Sequence, residues 1–287
     1  MISNFKYLNR MKILKLMMCA ALAMMVATSC TTKKEEMPKV LVLYYSQTSN
    51  TKTVATEIAT RLNADIEEIV PVEAYDGDFE ATIQRCMKER EDSVLPEIKP
   101  LTSDLSKYDF IFLGYPVWFG TYAPPVAAFL NQVDLSGKKI IPFCTFGSGG
   151  LESSMKDMAE KQPNAEVLPG YGVRAARMAA VPKEVEQFLT VCGFIEGAYV
   201  LPEDFPEQHP VSAEEAAIFD AAVNGYPMLN AKATTVASRA IPEGTEYLFT
   251  AKDMPREDNP KMPPAGELKV YVTVEQGDTP VFTKVVR

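Results

Sequence analysis

Apolar residues fall into two alternating rhythms along the chain. Val40-Leu41-Val42-Leu43-Tyr44-Tyr45 is a continuous apolar run, the pattern of a parallel strand covered on both faces. Over residues 51–63 the rhythm becomes helical, with Val54, Ala55, Ile58, Ala59 and Leu62 on one stripe. The alternation then repeats. It predicts an edge strand at 64–70, a helix at 79–91, a strand at 109–114 and a helix at 124–133. A strand at 139–145, a helix at 151–162, a strand at 165–168 and a helix at 182–192 follow. Five strands with helices between them predict an α/β fold, a doubly wound parallel sheet of order 2-1-3-4-5. Ligands of such sheets gather at the carboxyl ends of the strands, where the winding reverses.

Beyond residue 195 the rhythm changes. Residues 196–210 are rich in proline and acids and read as a linker, with His209 as a surface residue. Ser212 and Glu215 have the spacing of a reciprocal capping box, which opens a helix running to about Asn224. Alternating stretches at 229–240, 246–252, 267–275 and 280–286 then predict four antiparallel strands, the last two joined around Gln276-Gly277-Asp278. One helix and an antiparallel sheet make a small α+β domain over 211–287. It faintly resembles a cystatin-type arrangement, but that family's QxVxG is not present, so no inhibitor activity is implied.

The first residues carry a different message. Residues 1–29 hold Lys6, Arg10, Lys12 and Lys15 and no acid, and residues 16–27 are almost purely apolar. A basic start followed by a short apolar stretch is the layout of a signal peptide. As a helix, twelve residues span about 18 Å, too short for a hydrocarbon core of about 30 Å. Val26-Ala27-Thr28-Ser29-Cys30 resembles the lipobox of bacterial lipoproteins, with Ala27 where leucine is usual. That resemblance implies cleavage after residue 29, lipidation of Cys30 and a lipidated tether over 30–38. The alternative is ordinary signal cleavage near Ser29 with Cys30 incidental. The expected localisation is therefore exported, as a membrane-anchored lipoprotein on the periplasmic or cell-surface side.

Charge and composition narrow the functions. The chain of 287 residues has 29 Lys and Arg against 38 Asp and Glu, a formal charge of −9. Without the four positive charges of residues 1–29, that becomes −13. Such an acidic chain lacks the basic surface that nucleic acid requires. A single histidine excludes His-rich zinc sites, and no metal ligand set is expected. Cys86, Cys144 and Cys192, with no CxxC spacing, read as buried thiols, one disulfide among them being the other option.

Three predicted strands end in unusual loops. The first is Ser46-Gln47-Thr48-Ser49-Asn50-Thr51, six small or polar uncharged residues between a strand and a helix. Free backbone N–H groups and hydroxyls around one small volume form a nest able to hold a phosphate dianion without Lys or Arg. No GxxxxGK or GxGxxG is present, which argues against a P-loop or a dinucleotide site. The second is Gly114-Tyr115-Pro116-Val117-Trp118-Phe119-Gly120, followed by Thr121-Tyr122-Ala123-Pro124-Pro125. It offers aromatic faces to a flat heterocycle, Trp118 before Phe119, and a flexible backbone at Gly120. The third is Thr145-Phe146-Gly147-Ser148-Gly149-Gly150, glycine-rich enough to turn its amides toward a ligand. Arg174 and Arg177, after the fifth strand, could attract an anionic substrate or merely be solvated, and solvation is the favoured reading.

Residues 42–51, with Ala55 and Ile58 behind them, resemble the FMN-phosphate signature of the flavodoxin family, and GYPxW resembles its ring-flanking segment. Ser49 departs from that family's usual Gly, Ala or Cys. The resemblance covers about 39–195 and implies FMN as cofactor, with a redox partner protein or a quinone-like small molecule as the other reactant. The residues implied to bind it are Ser46, Gln47, Thr48, Ser49, Asn50, Thr51, Pro116, Val117, Trp118, Phe119, Gly120, Thr145, Phe146, Gly147, Ser148, Gly149 and Gly150. Carrier and quinone-reductase-like enzyme both remain open. So does a non-redox interaction lipoprotein that keeps the fold without the cofactor.

Overall fold

The computed structural model describes residues 38–75, 78–199, 202–224, 226, 229–255, 264, 266–275 and 279–286. The signal peptide, the Cys30 anchor, the tether before Pro38 and the turn at 276–278 lie outside the described residues. The chain divides into two compact units between Ala198 and Tyr199.

The first unit is a parallel sheet wrapped by helices. In chain order it contains β1 (Val40–Tyr44), α1 (Asn50–Leu62), β2 (Asp65–Glu68), α2 (Phe79–Glu91) and β3 (Phe110–Trp118). The short β4 (Thr121–Tyr122), α3 (Pro124–Gln132), β5 (Lys139–Phe146) and α4 (Leu151–Lys161) follow. Last come β6 (Glu166–Val167), β7 (Tyr171–Arg174) and α5 (Val181–Cys192). The order in space is β2-β1-β3-β5-β6. This is the predicted 2-1-3-4-5 winding, since β4 only folds back on β3.

The inner strands β1, β3 and β5 are buried on both faces, which is why they read as nearly unbroken apolar runs. Leu41, Leu43, Ile111, Leu113 and Ile140 pack on one face with Val126 and Phe129 of α3 and Met158 of α4. Val42, Phe112, Ile141 and Phe143 pack on the other with Val54, Ala55 and Ile58 of α1 and Val185 and Leu189 of α5. Each such side chain contributes about 1.5–3 kcal/mol. Cys86, Cys144 and Cys192 are buried thiols and none is joined in a disulfide. Desolvation, reinforced by Glu89, pushes the Cys86 thiol up to about 11.

The fifth position of the sheet differs from expectation. Instead of one strand at 165–168, β6 pairs with the start of β5 and β7 with its end. Pro142 explains the break. Ile140 O accepts from Leu168 N at 2.8 Å, so two residues later Pro142 faces the same edge with no N–H to donate. The chain crosses this gap at Gly170, where a Cβ would lie 2.4 Å from Pro142 O.

The second unit contains β8 (His209–Pro210), α6 (Ala213–Val223), β9 (Ala231–Ile241), β10 (Gly244–Asp253), β11 (Glu267–Glu275) and β12 (Val281–Val286). Its antiparallel sheet has the order β12-β11-β10-β9-β8. The capping box is present, with Ser212 Oγ accepting from Glu215 N and Glu215 accepting from Ser212 N. Phe219 of α6 packs with Val236, Phe249, Val270 and Phe282 in the core of this unit. His209 is exposed and lies 3.5 Å from Glu215.

The stretch read as a linker is, in its second half, part of this sheet's other face. Gln208 accepts from Thr235 and Thr250 hydroxyls and donates to Leu248 O. Phe205 packs edge-on against Tyr271 and lies over the Arg239 guanidinium, 4.2 Å from ring centre to Cζ. That guanidinium makes a buried ion pair with Glu246 at 2.6 Å and donates to Glu203 O. Proline and acid content hid these contacts, because nothing local announces a strap held by tertiary bonds.

Candidate flavin site

The three unusual loops converge at the carboxyl ends of β1, β3 and β5, which lie side by side. Tyr44 is in register with Gly114, and Gly114 with Phe143. Tyr45 N continues the ladder by donating to Gly114 O.

The first loop leaves β1 and turns into α1 at Ser49, whose φ of 67° is left-handed. Of the residues usual at this position only glycine takes that conformation freely, so Ser49 is held there at a backbone cost. Ser49 O accepts the first helical bond, from Thr53 N, while no side chain caps the helix and its first turn carries no acid. The leading amides are therefore without intrahelical partners, at the positive end of the helix dipole. Beside them the Ser46 hydroxyl is buried with no hydrogen-bond partner among the described residues. A buried unsatisfied hydroxyl costs about 1–3 kcal/mol. A bound anion would satisfy it and the amides together.

Thr48 and Ser49 are exposed, and Asn50 is half-buried at the start of the helix. Gln47 is differently employed. Its side-chain amide donates to Tyr75 O and Thr82 Oγ1, tying the loop to α2 and leaving its backbone on offer to a ligand. The Thr51 hydroxyl is buried and bonds Thr145 Oγ1 at 2.8 Å, so the first and third loops share one hydrogen bond.

The second loop is a hairpin rather than an irregular segment. β3 runs through Pro116 and Val117 to Trp118, and β4 pairs back through Val117–Tyr122 and Trp118–Thr121. The two-residue turn, Phe119-Gly120, has φ of 52° and 85°, the signs that a tight antiparallel turn demands. Its tip is fastened to α4. Ser153 Oγ donates to Gly120 O at 2.6 Å, and Thr121 Oγ1 donates to Asp157 at 2.8 Å.

Trp118 is half-buried, edge-on to Tyr45 and Tyr75 with ring centres 5.8 and 5.3 Å away. Burial raises both phenols, and for Tyr75 the hydrogen bond to Glu89 raises it further. Tyr75 was not foreseen, since its segment has no periodicity that marks it. Phe119, by contrast, is 50% exposed.

The third loop follows β5. Phe146 is buried in the core, so only its backbone can meet a ligand. Gly147 is exposed, while Ser148, Gly149 and Gly150 are half-buried. Gly150 has φ of 116°, and a Cβ there would lie 2.5 Å from Val117 Cγ1, so second and third loops touch only because it is glycine. Arg174 and Arg177 are not simply solvated. Arg174 Nε donates to Gly147 O at 2.8 Å. Arg177 pairs with Glu184 at 2.6 Å, which also accepts from the Tyr171 hydroxyl. Among the described residues no His, Cys, Asp and Glu cluster could hold a metal ion, and no helix is long and apolar enough to cross a membrane.

The arrangement offers an anion cradle, an aromatic wall and a row of backbone groups at one end of a sheet. A 30% identical relative is an uncharacterised protein of Methanocaldococcus jannaschii, matched over 125 residues, or 43% of this chain. The match spans 65% of that relative, just under two thirds of its length. A candidate flavoprotein of Bacteroides eggerthii is 25% identical with a TM-score of 0.49, covering 55% of this chain and 99% of its own. A Lactobacillus acidophilus flavoprotein solved with FMN is 25% identical with a TM-score of 0.44, covering 51% and 98%. The family model described as flavodoxin matches residues 39–187, more than half of the chain and all three loops. The chain is thus a member of the flavodoxin family.

Proposed function

We propose that this protein binds FMN and transfers electrons, and that it is exported and held at a membrane by lipid on Cys30. The observation that carries the cofactor reading is the buried, unpartnered Ser46 hydroxyl beside the uncapped start of α1. A neutral polar nest of this kind suits a phosphate dianion. Ser46, Thr48, Ser49, Asn50 and Thr51 would hold the phosphate. Trp118, with Pro116 and Val117 behind it, would cover a ring face. Thr145 and the amides of residues 147–150 would meet the ring's polar edge. When bound, FMN supplies one- and two-electron redox chemistry, which the protein tunes through contacts and solvent exclusion. Burial around Tyr45, Tyr75 and Trp118 keeps water from one side of the site. The Thr51–Thr145 bond keeps the phosphate and ring loops at fixed spacing.

A redox partner protein or a quinone-like molecule completes the reaction, and the acidic chain favours a basic partner whose association weakens as salt rises. Titration of the purified full chain with FMN is expected to show saturable binding at micromolar cofactor, with a shifted visible spectrum. An unshifted spectrum and no retained cofactor would overturn the reading and favour the cofactor-free interaction protein. For the anchor, Cys30→Ser is expected to move the protein from the membrane to the soluble fraction of its host. Unchanged membrane recovery would show that Cys30 is not the lipid site.

A further inference from the structure

The hairpin tip carries a side chain at odds with its backbone. Phe119 occupies the first turn position with φ of 52°, where glycine, asparagine or aspartate is the favoured choice. A bulky side chain in this region is strained, and such strain persists where the surrounding structure imposes it, often at functional sites. Burial does not compensate it, because half of the residue is in solvent. Its neighbour Trp118 turns inward to Tyr45 and Tyr75, so the consecutive rings serve different sides.

Over Phe119 lies Arg90, from the last turn of α2, with Cζ 5.3 Å from the ring centre, within cation–π range. The cations around it are committed elsewhere. Arg85 is bonded to Glu89 and to the carbonyls of Glu73 and Ala74, and it lies over Tyr75. Lys88 is paired with Asp92. Arg90 alone of these three has no carboxylate within ion-pair distance among the described residues, and its side of the helix is exposed. An exposed guanidinium beside a half-exposed aromatic ring offers a ligand a charge-assisted contact and a flat apolar edge at one point.

We propose that Arg90 and Phe119 form the docking element for a second ligand of this site, a flat aromatic molecule bearing a carboxylate or sulfonate. Its ring lies against Phe119 and its anion on the Arg90 fork, which matches an oxyanion in two parallel hydrogen bonds. The inference rests on the flavin reading and gives that site's small-molecule reactant a charge and a shape.

Calorimetry on the full, FMN-loaded chain tests it with two probes, anthraquinone monosulfonate and its uncharged hydroxymethyl analogue. The sulfonate is expected to bind about tenfold more tightly at low salt, and Arg90→Ala to reduce that preference to about twofold, as loss of a charge-assisted contact predicts. FMN affinity of the Arg90→Ala chain is expected to be unchanged, which also shows that the variant is folded. Phe119→Ala, compared at equal FMN loading, is expected to weaken both probes equally, since both share the ring contact, and an effect on the sulfonate alone would overturn the stacking role. Equal affinity for the two probes, or a preference that survives Arg90→Ala, would overturn the docking role while leaving FMN binding intact. Failure to load FMN at all would overturn the flavin reading and this inference with it.

Discussion

Replacing Trp118 with alanine is expected to weaken FMN binding about 30- to 150-fold, a loss of about 2–3 kcal/mol. Two contributions add. Stacking supplies roughly 0.5–1.5 kcal/mol beyond burial, and the apolar area lost from the ring face supplies the remainder. Tyr45 and Tyr75 meet the indole edge-on and hold it in place, so the ring is set before the cofactor arrives. Trp118→Phe, which keeps an aromatic face between the same two tyrosines, is expected to recover most of the affinity. Dissociation constants from flavin fluorescence decide the matter, and an unchanged value in Trp118→Ala would remove this residue from the site.

The largest stability effect belongs to the second unit. Arg239→Ala is expected to destabilise it by about 3–5 kcal/mol, because it leaves a buried carboxylate without its countercharge. Glu246 is only 2% exposed, and one of its oxygens accepts from both Nε and Nη2 of Arg239. The same guanidinium holds Glu203 O and sits against Phe205, so its loss also releases the strap. Against a typical domain stability of about 5–15 kcal/mol, such a loss is a large fraction of the whole. Arg239→Met combined with Glu246→Leu is expected to cost far less than the single change, since no charge then stays buried. Urea unfolding followed by circular dichroism measures this. Trp118, the sole tryptophan, reports on the first unit in the same experiment. A loss below about 1 kcal/mol for Arg239→Ala would show that water reaches Glu246.

Where the fold could be read from sequence, local and global signals coincided. The run from Val40 to Tyr45, the polar loop and the α1 stripe announced strand, connecting loop and helix, because both faces of that strand are covered and one face of that helix is. What escaped notice was tertiary or conformational. The Phe119-Gly120 turn looks like loop, because its signature is a pair of φ angles and Phe is an unusual residue for one of them. Tyr75 reaches Trp118 from a segment without periodicity, and Gln47 faces α2 because Thr82 and Tyr75 O happen to be there. The split between β6 and β7 was nearer to legible, since proline in a central strand removes a ladder bond. Phe205 and Gln208 sit among prolines and acids, which conceal their grip on Thr235, Thr250 and Arg239.

With Cys86, Cys144 and Cys192 buried and unjoined, the described part of the chain folds without help from an oxidase or a disulfide isomerase. Its stability is indifferent to thiol reagents and to the glutathione poise of its surroundings. Cys86, its thiol held protonated by burial, is a poor nucleophile toward peroxide. These three thiols are therefore shielded from oxidation, and on the proposed reading oxidising equivalents that reach the site would pass to a replaceable cofactor and spare them.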